Sequence, residues 1–155
     1  MIYITEGHIL IILYDDIVTM SAQFDAISNA YEGVIYKRVG HNIPRNKLEP
    51  NNWLYDMLTL RKYNNITYII ATLSHDTQAL AHEKCHARYH NDKQYRQQCN
   101  KLYDSLSPNS MKRVHASLKH MGYNETVHID EFQAYYYTES PRSLALLFGK
   151  LQFIN

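Results

Sequence analysis

Two histidines four residues apart, with a glutamate directly after the first, stand in the pentapeptide His82-Glu83-Lys84-Cys85-His86. On a helix, residues at that spacing share one face about one turn apart, so both imidazoles can converge on a single ion. Zinc accepts imidazole nitrogen at about 2.0–2.1 Å and holds four ligands in a tetrahedron. Glu83 lies roughly 100° round the helix from His82, near such an ion without ligating it, where a general base for an activated water belongs. Cys85 points away from the ion on the same helical wheel and reads as a core thiol. Lys84 and Arg88 are charged neighbours that must carry their heads to solvent.

A third ligand has to come from elsewhere in the chain. Glu131, in Asp130-Glu131-Phe132-Gln133-Ala134-Tyr135, is the first choice, because a later helix can swing it back under the site. His115, His120 and His128 remain alternatives. His90 shares the face of His82 but sits about 12 Å along the axis, too far for one ion. Hydrolysis of a carbonyl also needs a donor for the developing oxyanion. Tyr135, four residues after Glu131, is the candidate, with Tyr136, Tyr137 and His128 as alternatives and aromatic packing as the other role for Tyr136. His75 reads as a capping or rim residue, and His8 and His41 as surface.

The elements that must carry these groups follow from hydrophobic periodicity. Strands are expected at 2–5, 8–14, 34–39 and 66–73. Ile17, Met20, Phe24, Ile27 and Tyr31 mark a helix stopped by Gly33, and the Gly, Pro and Asn content of 40–50 reads as a loop. A helix from Trp53 ends near Asn64. Another runs from about Thr77 to His90 and carries the pentapeptide, with Ser74-His75-Asp76 as its cap. Amphipathic helices follow around Tyr95–Leu106, Met111–Met121, Asp130–Thr138 and from Pro141. Strands first and helices after predict an α+β fold. The expectation is one domain over 1–155, with an α/β part to about 106 and a helical part beyond it.

Composition narrows the class. The chain has 155 residues, 45% hydrophobic and 20% charged, enough to bury a core and too apolar for disorder. Sixteen Lys plus Arg against fifteen Asp plus Glu give a net charge of +1, which makes nucleic acid an improbable principal partner. No apolar run approaches a membrane span and no signal peptide is apparent, so a cytoplasmic protein with Cys85 and Cys99 as reduced thiols is expected. The substrate of a hydrolytic site would lie extended on a sheet edge, at 34–39 or 66–73.

Ala81-His-Glu-Lys-Cys-His-Ala87, followed by Glu131-Phe-Gln-Ala134, resembles the gluzincin metallopeptidases, above all the minimal and ImmA/IrrE-like ones. The resemblance covers about a dozen residues. It implies a zincin-like fold, a small mixed sheet with an active-site helix. It also implies one Zn2+ per chain on His82, His86 and Glu131, Glu83 as base, and a peptide or protein substrate. Tyr135 stands where the thermolysin-like pattern has an Asp that orients a ligand histidine, so the support of the ligands must differ here. The pentapeptide is also similar to SprT-like proteases of nucleic-acid-bound proteins, which would make His115 the third ligand. A non-catalytic zincin-like binding module is the remaining alternative.

Overall fold

The computed structural model describes residues 1–35 and 38–154. Strand β1 (Ile2–Glu6) turns through Gly7, at φ 57°, into β2 (Ile9–Tyr14), and the two pair antiparallel. Helix α1 (Ile17–Glu32) begins at Asp16, whose side chain accepts from Thr19 N, and ends at Gly33. Strand β3 (Gly40–Pro44), the short helix α2 (Trp53–Leu58) and strand β4 (Tyr68–Leu73) complete the first half. Beyond them run α3 (Thr77–Asn91), α4 (Lys93–Asp104), α5 (Pro108–Met121), α6 (His128–Thr138) and α7 (Pro141–Phe148). The fold is α+β: a small mixed sheet of order β1-β2-β4-β3 and a mainly helical remainder. No described helix is long and apolar enough to cross a membrane.

Strands β2 and β4 lie parallel in the middle of the sheet, and both are rich in isoleucine because both faces are covered. Leu10, Ile12, Ile69 and Ala71 pack with Ile43 against Met20 and Phe24 of α1 and Leu54 and Leu58 of α2. The alternate residues Ile11, Tyr68 and Ile70 face Leu80 and Ala87 of α3. A separate cluster of Tyr103, Leu106, Val114, Leu118, Phe132 and Phe148 holds the later helices together.

Three local expectations are corrected. No strand occupies the described part of 34–39, where Val34, Ile35, Arg38 and Val39 are irregular; Tyr36 and Lys37 lie outside the described residues. The strand comes later, from Gly40 to Pro44, in the stretch whose composition reads as loop. Pairing with β4, with Ile43 opposite Ile69 and Asn42 opposite Ile70, overrides that weak local preference. Helix α2 stops at Leu58, because Leu60 turns extended before a single 3-10 turn at Arg61–Tyr63. The edge assignment also changes: β4 is interior, and β3, the edge strand beside α3, has all five residues buried.

Candidate metal centre

Helix α3 starts where Asp76 accepts a hydrogen bond from Ala79 N at 2.8 Å, and it packs its Glu83, His86 and Ala87 inward. His82 and His86 bring their Nε2 atoms to 3.2 Å of each other. Helix α6 packs across α3 and delivers Glu131, whose Oε1 lies 3.6 Å from His86 Nε2 and whose Oε2 lies 3.8 Å from His82 Nε2. Donor atoms of these three residues all fall within 4.8 Å of one another, so the group could hold a metal ion. Two imidazole nitrogens on one tetrahedral zinc stand about 3.3 Å apart, which matches the spacing found.

The far sides of the two rings decide which tautomers they adopt. His86 Nδ1 lies 2.8 Å from Asp130 Oδ1, a pure acceptor when ionised, so His86 donates there and, as a neutral imidazole, turns the lone pair of its Nε2 to the site. Thr138 Oγ1 gives its own hydrogen to Ala134 O at 2.6 Å and therefore accepts from His82 Nδ1 at 3.4 Å. That turns the Nε2 lone pair of His82 to the site as well. Two lone pairs facing each other at 3.2 Å, beside a carboxylate, repel unless a cation or a proton lies between them. Glu131 Oε2 is buried with no hydrogen-bond partner among the described residues, so it too presents a free lone pair. The donor set therefore fits zinc in number, type and spacing.

The electrostatics agree. Burial disfavours the charged form of His86, but the carboxylates of Asp130 and Glu131 outweigh it and hold His86 well above its ordinary value. The charges that favour a proton there would equally favour a metal cation. Burial, and then the adjacent His86, push His82 down to about 4. Burial pushes Glu131 up to about 7 against the pull of His86, and burial likewise raises Glu83 against His82 and His86. Behind the ligands, Gln133 Nε2 donates to Asp130 Oδ1 at 3.0 Å, and Tyr95 OH donates to Gln133 Oε1 at 2.8 Å. Asp130 is the support that the sequence did not single out. It precedes Glu131 by one residue, and only the crossing of α3 and α6 brings it to His86.

Glu83 is held from the sheet. Asn42 Nδ2 donates to Glu83 Oε2 at 3.0 Å, and Asn42 Oδ1 accepts from Tyr68 OH at 2.6 Å. A Cβ on Gly40 would come within 2.3 Å of Glu83 Oε1, so glycine is what lets β3 approach the carboxylate. Gly40 and Asn42 fall in the stretch that reads as loop, and this hid them from the sequence. Tyr135 packs its ring against His82 at 4.6 Å between centroids, and its hydroxyl lies 3.1 Å from that of Tyr123, a second cavity residue without a sequence signal. A cavity of about 410 Å³ joins these groups.

The other candidates are placed elsewhere. His115 and His128 meet edge-to-face at 5.0 Å between centroids, and His128 Nε2 meets Tyr123 O, outside the ligand group. His120 is exposed on the cavity wall, and His90 packs on the Tyr68 ring at 5.1 Å. Tyr136 lies against Phe132 and Tyr137 is exposed. His75 is exposed beside the capping Asp76, and His8 is exposed. His41 is not a surface residue: it is fully buried, with Nδ1 2.8 Å from Ser28 Oγ, because β3 turns it inward onto α1. Cys85 is half-buried rather than in the core. Lys84 pairs with Glu6 at 2.8 Å and Arg88 lies 4.0 Å over the Tyr95 ring, so neither charge enters the site. No protein-family model, curated protein or solved structure matches the chain.

Proposed function

We propose that the protein is a zinc-dependent metallopeptidase of gluzincin type, with His82, His86 and Glu131 as metal ligands and Glu83 as general base. The observation that carries this reading is the convergence of His82 Nε2 and His86 Nε2, 3.2 Å apart, on the carboxylate of Glu131, one of whose oxygens has no partner among the described residues. A zinc ion there would acidify a bound water and polarise the substrate carbonyl. Asn42 fixes one oxygen of Glu83, and the other, Oε1, is free to take the proton of the attacking water. The same oxygen then returns that proton to the leaving amine, so the carboxylate is regenerated. Burial raises Glu83 above its ordinary value, which makes its carboxylate a stronger base than an exposed one. Tyr135 is the proposed donor to the carbonyl oxygen as charge develops, with its hydroxyl oriented by Tyr123.

Metal analysis and one substitution test the reading. The purified chain should take up about one zinc, and Glu83→Gln should keep that metal while hydrolysis of a peptide mixture falls by about 10²-fold or more. A chain that binds no zinc would remove the ligand set. A Glu83→Gln variant that retains full activity would remove the base.

A further inference from the structure

One carboxylate in the cavity wall takes no part in the ligand group or in the handling of the proton. Glu32 closes α1, is 1% exposed, and lines the same cavity as His82, Glu83 and Tyr135. Its Oε2 is paired with Arg38 Nη1, while Arg38 Nη2 donates to Asn29 Oδ1 and to the Gly33 carbonyl. That guanidinium is thus tied to the C-terminal end of α1. The backbone carbonyl of Glu32 accepts from Asn124 N at 2.7 Å, so the residue is fixed from both halves of the chain. Its Oε1 is buried and has no partner among the described residues. A buried carboxyl oxygen left without a donor is costly, and once the carboxyl is ionised beside Arg38 a cationic donor satisfies it best. On the metallopeptidase reading, the group available in this cavity is part of a peptide, and every unblocked peptide carries one such donor, its terminal α-ammonium.

The surroundings limit the length of that peptide. The strand edge nearest the site, β3, is buried along all five residues, so among the described residues no open edge beside α3 accepts a long extended chain. The cavity of about 410 Å³ is near the lower end for ligand pockets and suits a few residues. We propose that Glu32 anchors the free α-ammonium of short peptides, which would make the protein an amino-terminal exopeptidase. This rests on the metallopeptidase reading for its substrate class. Arg38 Nε is the other unpartnered polar atom of the pair, and it would instead favour a substrate's terminal carboxylate.

Three lysine-free ligands separate these cases: Leu-Gly-Gly, its N-acetyl form and its C-terminal amide. Binding is measured by calorimetry on the zinc-loaded Glu83→Gln variant, where hydrolysis does not interfere, and turnover is measured on the parent chain. Leu-Gly-Gly should bind about 10–100-fold more tightly than the acetylated peptide, amidation should matter little, and adding Glu32→Gln should abolish the preference. Turnover on the parent chain should follow the same order. Equal binding of the free and acetylated peptides, no binding of any of them, a preference that survives Glu32→Gln, or a loss caused by amidation would each overturn the proposal. If Glu32→Gln fails to fold, the acetylation and amidation comparisons still decide it. A free-amine preference in binding without turnover would sustain the anchor and overturn the hydrolytic reading instead.

Discussion

At the scale of single residues, the site is defined by where hydrogens sit. His82 and His86 would be ordinary helix histidines if either Nδ1 lacked an outward acceptor. Thr138 and Asp130 supply those acceptors and turn both lone pairs inward. Asp130 is the more consequential of the two, because it also bears on the basicity of His86. Replacing it with Asn keeps the shape, removes the charge and admits the wrong tautomer. Asp130→Asn should therefore weaken zinc affinity by about 10–100-fold, read by competition with a chelating dye, with an unchanged circular dichroism spectrum. Undiminished affinity would mean that Asp130 does not orient the ligand.

At the scale of elements, three pieces meet at the candidate metal centre: α3 brings His82, His86 and the proposed base Glu83, α6 brings Glu131 and Asp130, and β3 brings Asn42 against Glu83. The contact between β3 and α3 is close enough that a single methyl group decides it. Gly40 does not adopt a positive φ, so alanine would be tolerated by the backbone, yet its Cβ would lie 2.3 Å from Glu83 Oε1 and 2.9 Å from Cγ. Gly40→Ala should displace the carboxylate, lowering kcat at least tenfold while zinc stoichiometry stays at one. Overpacking should also cost about 1–3 kcal/mol of stability in urea titration. An unchanged kcat would show that the position of Glu83 is not set from β3. The same strand is the element that composition concealed: Gly, His, Asn and Pro read locally as a turn, and only the ladder with β4 makes them a strand.

At the scale of the molecule, burying ionisable groups sets how stability responds to acid. His41 lies between β3 and α1, and burial followed by the charge of Arg38 lowers it from its ordinary 6.5 to about 3. Folded His41 stays neutral while the unfolded chain takes up a proton, so its contribution is intact above pH 6.5 and lost as pH falls towards 3. The loss is at most about 1.4 kcal/mol for each pH unit in that window. Compared by urea unfolding, His41→Asn should be less stable than the parent chain at pH 7, and the gap should narrow as pH falls below 6.5. A gap independent of pH would place the neutral form of His41 in doubt. Glu32 and Glu131, raised to about 7, act in the opposite sense: their folded forms hold a proton that the unfolded chain has released, so stability is lost as pH rises from about 4.5 towards 7. Because the two effects oppose each other, the comparison needs the single variant and not the parent curve alone.

Local sequence sets the α+β order of elements and most helix limits, because apolar periodicity and a cap such as Asp76 act within a few residues. It also placed His82, Glu83 and His86 on one helix, since a four-residue spacing needs no tertiary information. It singled out Glu131, which lies 45 residues beyond His86, but could not place it. Only the packing of α6 across α3 brings Glu131 to the histidines, leaves His115 and His128 outside the group, and converts Asp130 from an unremarked neighbour into the partner of His86. Likewise, only pairing with β4 creates β3 and thereby sets Gly40 and Asn42 against Glu83. The division follows the range of the forces: propensity and periodicity are local, whereas ligand sets, proton positions and buried charge depend on which distant segments exclude water from one another.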